Sequence, residues 1–139
     1  MKGDDKWYCG KCKNHVVATK KMEIYSAPEY LIIHLKRFSH SRGMMGGGRK
    51  VGSLITFPVD GMDLSNYILK NSNLNEKIVY DLYAVSNHFG GLDGGHYTAF
   101  CKNPVLNKWY DCDDSTVSKI SASDVVTKAA YVLFYKRRS

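Results

Sequence analysis

Branched and aromatic side chains recur in short runs separated by glycine, proline and asparagine, a grammar of strands rather than helices. Tyr30-Leu31-Ile32-Ile33-His34-Leu35-Lys36-Arg37-Phe38 reads as a central strand, with His34 packed among its apolar neighbours. Lys36 and Arg37 read equally as its solvated end or as a contact to a partner. Residues 78 to 86 read as a strand buried on both faces, since their alternation is imperfect. Residues 95 to 102, 108 to 112 and 130 to 136 add three more strands. The turn-forming Asn103-Pro104-Val105-Leu106-Asn107 joins the first two of these as a hairpin. Weaker runs predict strands at 16 to 25 and at 54 to 59, the latter stopped by Pro58, with a turn at 26 to 29.

Helix is scarce. Asp63 is placed to cap a brief helix over 63 to 69, with Leu64, Tyr67 and Ile68 inward. Ser121 and Asp124 have the spacing of a capping box ahead of a helical turn over 122 to 127. Residues 70 to 77 read as a polar connector, and residues 39 to 53, dense in glycine, as a loop. The expected class is α+β, a mostly antiparallel sheet with few helices. At 139 residues there is room for one modest domain, and ten tyrosines with five phenylalanines supply an aromatic core. No internal repeat interrupts it.

Composition adjusts this picture slightly. No apolar run approaches the ~20 residues of a membrane span, and no leader pattern is visible. Four cysteines at uneven spacing do not make a disulfide framework, so a reducing, intracellular setting is expected, cytoplasmic or nuclear. The formal charge of +7 raises nucleic acid as a partner. The basic residues are scattered, however, apart from Lys136-Arg137-Arg138, and no aromatic-and-basic motif accompanies them. Ordinary surface charge is the better reading.

Two stretches carry candidate chemistry. Gly94-Gly95-His96-Tyr97-Thr98-Ala99-Phe100 and Lys108-Trp109-Tyr110-Asp111-Cys112-Asp113-Asp114-Ser115 put a histidine near the start of one hairpin strand and two aspartates near the end of the next. In an antiparallel pair those positions are neighbours, and an imidazole beside a carboxylate is a general base with a fixed tautomer. The bland alternative makes His96 a turn residue and lets Asp113 and Asp114 cap the next turn. Spacing does not choose between the two aspartates, although successive strand residues face opposite ways. The second stretch is Cys9-Gly10-Lys11-Cys12, a knuckle able to give two thiolates to a tetrahedral zinc, with His15 nearby as a third donor. A redox or unliganded pair satisfies the same spacing.

These residues resemble the histidine box of the ubiquitin-specific proteases, papain-like cysteine peptidases that cleave after the C-terminal glycine of ubiquitin. The likeness extends to Ala84-Val85-Ser86-Asn87-His88-Phe89-Gly90-Gly91, to Ile33-His34-Leu35-Lys36-Arg37-Phe38 and to Ala129-Ala130-Tyr131-Val132-Leu133-Phe134-Tyr135. It is strongest to the subgroup whose catalytic domain is split by a long insertion. The resemblance implies the C-terminal portion of such a domain, with residues 1–25 as lower fingers and 26–139 as palm. It implies His96 as the base, Asp113 as its orienting carboxylate and Asp114 as a neighbouring hydrogen-bond partner. It implies a substrate-tail lid around residues 87 to 95, with His88, Phe89, Gly90, Gly91, Gly94, Gly95 and Tyr97 at the ubiquitin tail. A slim channel of that kind suits the terminal Gly-Gly of ubiquitin.

The family places its nucleophilic cysteine, and a polar residue for the oxyanion, in a motif upstream of the knuckle. Nothing before Cys9 matches it. Cys112 stands where relatives often have phenylalanine, which predicts a buried thiol, and Cys101 lies on a strand without an activating turn. The expectation is a base and its orienter without the nucleophile, partnered by ubiquitin and by an N-terminal half of the domain. One structural zinc, with Cys9 and Cys12 as half its ligands, belongs to the complete domain, and catalysis needs no cofactor. Two other classes stand beside this one: a non-catalytic ubiquitin-binding or structural half-domain, and a basic zinc-ribbon protein for nucleic acid.

Overall fold

The computed structural model describes residues 6–39, 49–69, 77–91 and 94–138. Most of the glycine-dense 39–53 loop and of the 70–77 connector lies outside these residues. Among these residues one seven-stranded sheet dominates, accompanied by two separate two-stranded pairings. The first hairpin pairs β1 (Trp7–Cys9) with β2 (Asn14–Val16). The second pairs β4 (Phe38–Ser39) with β5 (Arg49–Lys50).

The large sheet contains β3 (Tyr30–His34), β6 (Met62–Asp63), β7 (Val79–Gly90), β8 (Gly95–Asn103), β9 (Lys108–Asp113), β10 (Thr116–Ile120) and β11 (Ala130–Arg137). Its order is β10-β9-β8-β7-β11-β3, with β6 pairing the start of β7, and every pairing is antiparallel. Strands β7 to β10 form a meander, and β11 returns to cover the free edge of β7. Among the described residues the helical element is a single 3-10 turn, Ala122–Asp124, where the Asp124 carboxylate accepts the Ser121 N–H at 3.3 Å, as the capping-box spacing predicts.

The core lies on one face of this sheet. Val85 on β7 stands opposite Phe100 on β8 and Leu133 on β11, and all three are buried. Tyr80, Leu82, Trp109, Val125 and Tyr135 complete the packing. Two tyrosine hydroxyls fasten flanking loops to it: Tyr80 donates to Pro28 O at 2.5 Å and Tyr135 to Pro58 O at 2.8 Å. Burial pushes the Tyr135 hydroxyl up to about 12, so it stays a donor.

Several expectations change. The run at 30 to 38 is an edge strand, not a central one. Leu31 and Ile33 turn inward while Tyr30 and Ile32 are 50% and 62% exposed, so apolar character on both faces does not mean burial on both. His34 is exposed, with its ring edge-on to Tyr131 at 4.7 Å. Beyond Val16 the predicted 16–25 strand has no ladder; Ile24 makes an isolated parallel bridge to Ile68. Residues 54–59 run alongside without forming a strand, held by single bonds such as Leu82 N–H to Val59 O at 2.9 Å. The 63–69 helix is a turn. Asp63 accepts the Ser65 N–H at 2.8 Å, and Tyr67, expected inward, is 66% exposed.

Arg37, read as a solvated strand end, is 2% exposed. Its guanidinium donates to three carbonyls: Ala130 at 2.7 Å, Val51 at 2.9 Å and Ser53 at 2.9 Å. It thereby clips the 49–53 segment onto the end of β11.

Candidate active site

The site forms where β7, β8 and β9 end together. On β8, His96, Thr98 and Phe100 share one face, since alternate strand residues point the same way. On β9, Asp111 lies opposite Phe100, which puts Asp113 on that face as well. The β8–β9 ladder stops at Ala99 opposite Cys112, so His96 and Asp113 sit just beyond it on a diagonal. His96 Nε2 lies 2.5 Å from Asp113 Oδ1. Both side chains are about half exposed, at 48% and 50%. The hydrogen bond to Asp113 and its charge raise the His96 pKa above the usual histidine value, with a smaller push from Asp114.

The choice between the aspartates is made by backbone. Asp113 pairs with Thr116 at the mouth of the β9–β10 hairpin, whereas Asp114 is a loop residue with φ of 48°. Asp114 makes no hydrogen bond to His96 and acts on it by charge. Donor atoms of His96, Asp113 and Asp114 fall within 4.8 Å of one another, a spacing that could take a metal ion. Strand β10, which braces Asp113 from the far side, escaped the sequence reading because Thr116-Val117-Ser118-Lys119-Ile120 is mostly polar and exposed.

The glycine stretch is shorter as a loop than its composition suggests. Asn87, His88, Phe89 and Gly90 belong to β7 and pair with Thr98, Tyr97, His96 and Gly95. Gly90 has φ of 96°, and a Cβ there would lie 2.7 Å from Gly94 O. A Cβ on Gly95 would collide with the Phe89 carbonyl oxygen and the His88 ring. These two glycines are required by the protein's own backbone. Gly91 and Gly94 have open space where a Cβ would go.

His88 is 5% exposed, enclosed by Phe38, Tyr97 and Tyr131 with ring centroids at 5.3, 4.7 and 5.8 Å. Burial first, and the Lys50 charge second, lower its pKa and favour the neutral ring. Phe89 and Tyr97 are open to solvent, 49% and 56% exposed. Lys50 donates to the carbonyls of His88 at 2.7 Å and Gly90 at 3.0 Å, tying β5 to the end of β7. Neither Lys50 nor Arg37 was legible as part of this region, because their carbonyl partners are far away in sequence and leave no local signal.

The cysteines lie elsewhere. Cys101 and Cys112 occupy the opposite face of the sheet from His96, Cys101 facing Tyr110 and Cys112 facing Ala99. Both are half-buried free thiols. Cys9 and Cys12 flank the turn of the first hairpin, where the Cys12 N–H donates to Cys9 Sγ at 3.5 Å. Hydrogen bonds, led by that from the Cys12 backbone, lower the Cys9 pKa. The two cysteines offer two of the four sulfur or nitrogen ligands that a tetrahedral zinc site needs. His15 does not join them: it pairs with Tyr8, its ring 5.3 Å from the tyrosine, and so faces away from Cys9.

A papain-like palm with a base–carboxylate pair at one sheet end, and no cysteine beside it among the described residues, is thus the class that fold and site define. The model of the ubiquitin carboxyl-terminal hydrolase family matches residues 3–135, and the chain belongs to that family. It is 50% identical over 135 residues to human ubiquitin carboxyl-terminal hydrolase 15, covering 97% of this chain and 13% of that protein. It is 49% identical over 134 residues to ubiquitin carboxyl-terminal hydrolase 10 of Arabidopsis thaliana, covering 96% and 14%. Among solved structures, the SAGA Ubp8/Sgf11/Sus1/Sgf73 module bound to ubiquitin aldehyde matches with a TM-score of 0.84 at 34% identity, over 99% of this chain and 30% of that one. The same module bound to monoubiquitin matches with a TM-score of 0.83 at 35% identity, over 98% and 29%. The chain therefore spans about one seventh of the curated relatives and less than a third of the solved chains it matches. Among the described residues, no helix is long and apolar enough to cross a membrane.

Proposed function

We propose that this chain is the C-terminal portion of a thiol-dependent deubiquitinase domain, supplying the general base and its orienting carboxylate. Residues 1–25 serve as lower fingers and 26–139 as palm. The observation that carries this reading is the 2.5 Å contact between His96 and Asp113 in a chain of this family. With the Nε2 proton donated to Asp113, Nδ1 keeps its lone pair. It takes the proton of a cysteine thiol held by another segment, and the thiolate attacks the carbonyl after ubiquitin's last glycine. The imidazolium then protonates the departing amine, and water releases the acyl group by the reverse transfer. Asp114 adds negative charge that favours the protonated intermediate.

The ubiquitin tail runs past Phe89, Gly90, Gly91, Gly94, Gly95 and Tyr97, with His88 supporting them from beneath. Relatives crystallised with ubiquitin and ubiquitin aldehyde support that placement of the partner. Their membership of the SAGA module supports an intracellular and nuclear setting, with the cytoplasm as the other compartment. The complete domain holds one structural zinc through Cys9, Cys12 and two further ligands.

Cleavage of a fluorogenic ubiquitin C-terminal amide tests the reading. The chain alone is expected to be inactive. Mixing it with an N-terminal portion containing the nucleophile restores turnover, and His96→Ala abolishes the restored activity. Cysteine-dependent turnover by the isolated chain would overturn the assignment. A mixture that binds ubiquitin and labels with a vinyl-electrophile probe but is indifferent to His96→Ala would remove His96 from its role.

A further inference from the structure

We propose that Cys101 and Cys112 form a dithiol that a peroxide closes to a disulfide, and that closure loosens the His96–Asp113 pair on the other face of the sheet. The consequence for His96 as a base rests on the function proposed above; the disulfide does not. The register is the primary observation. Cys101 faces Tyr110 and Cys112 faces Ala99, so the two cysteines are diagonal neighbours on one face of the β8–β9 ladder. Both are free and half-buried rather than sealed in the core. Burial raises the Cys101 pKa, and the neighbouring Cys112 adds to that shift. A thiolate is disfavoured at Cys101, so the first oxidation is placed at Cys112.

The chemistry balances. The Cys112 thiolate attacks a peroxide oxygen, giving a sulfenic acid and hydroxide. The Cys101 sulfur then attacks the Cys112 sulfur and displaces the oxygen as water. The net reaction turns two thiols and one hydrogen peroxide into a disulfide and two waters, and a thiol reductant reverses it.

The strand geometry sets the cost. Diagonal positions stand ~7–8 Å apart, whereas a disulfide wants its Cα atoms ~5.5–6 Å apart. Closing the bond therefore slides β9 against β8. Asp113 follows Cys112 directly in the chain, and its bond to His96 lies beyond the last ladder pair, where no backbone hydrogen bond between β8 and β9 resists the movement.

The test uses hydrogen peroxide on the whole chain, peptide mapping under non-reducing conditions and an NMR titration of His96. Trypsin cuts between the two cysteines at Lys102 and Lys108, so a Cys101–Cys112 bridge appears as a linked peptide pair. The expected result is that linked pair, its absence in Cys112→Phe, and a His96 pKa that falls on oxidation and recovers with dithiothreitol. Oxidation confined to Cys9 and Cys12, or a Cys101–Cys112 bridge that leaves the His96 titration unmoved, overturns the proposal. Neither readout needs activity, so failure of the deubiquitinase reading would show separately, in the cleavage assay.

Discussion

Asp113 reaches His96 across a gap where the β8–β9 ladder has already ended, with 2.5 Å between carboxylate oxygen and ring nitrogen. Backbone pairing does not hold this contact. The β9–β10 hairpin does, by fixing Asp113 against Thr116.

Removing the Asp113 charge should therefore bring the His96 pKa down toward the ordinary histidine value. Asp113→Asn is expected to lower it clearly, and Asp114→Asn to lower it less, because Asp114 contributes by charge alone. An NMR pH titration of the His96 ring reads both. Equal effects from the two variants would refute the assignment of Asp113 as the orienting group. The raised pKa also links to stability. The pair's contribution is fully present below the unfolded histidine pKa and is lost as pH rises through the higher folded value.

The neighbouring glycines should separate cleanly. Gly95→Ala drives a methyl into the Phe89 carbonyl and the His88 ring, and overpacking of this kind costs about 1–3 kcal/mol. Gly94→Ala meets open space and should leave the melting temperature close to wild type. Thermal unfolding of the two variants decides it; matching losses would mean that the close approach at Gly95 is not what selects glycine.

Arg37 should matter more than a strand-end cation. Arg37→Ala leaves the carbonyls of Ala130, Val51 and Ser53 without their donor. Only the Ala130 carbonyl is fully buried; at ~1–3 kcal/mol for that acceptor and less for the part-buried Val51 and Ser53 oxygens, a loss of about 2 kcal/mol or more is expected in urea unfolding. Arg37→Lys, which keeps the charge but lacks the planar fork, should recover only part of it. A loss below about 1 kcal/mol for Arg37→Ala would show that water replaces the guanidinium at all three carbonyls.

Acid should weaken the start of β7 through Asp81. The Arg138 side-chain bonds at 2.6 and 2.7 Å are the largest cause of its lowered pKa. A depressed carboxyl contributes stability above its unfolded pKa of ~3.9, and that contribution disappears as pH falls through the folded value. Asp81 and Arg138 are 32% and 53% exposed, so solvent screening holds the effect below about 1 kcal/mol. Asp81→Asn should flatten this part of the stability–pH curve, which denaturant midpoints measured across the acid range will show.

The sequence by itself determined the strands whose two faces meet different surroundings. Residues 78 to 86, 95 to 102, 108 to 112 and 130 to 136 all reappear, because Val85, Phe100, Trp109 and Leu133 bury one face and the local turn at Asn103–Asn107 fixes a register, although the 78–86 strand, read as buried on both faces, leaves Tyr83 exposed on the other. That hairpin alone brought His96 near the aspartates. Tertiary structure decided the rest, wherever partner identity rather than local pattern sets the outcome. It brought Asp113, rather than Asp114, into hydrogen-bond contact with His96, and it drew Asn87–Gly90 out of the apparent loop by pairing them with β8. It moved the 30–38 run from the centre to the edge, since an apolar side chain carries no record of which neighbour will cover it. It also buried Arg37 and set the half-buried Lys50 against carbonyls from distant segments. A main-chain oxygen is present at every residue, so no side-chain pattern marks in advance which ones a buried cation will meet.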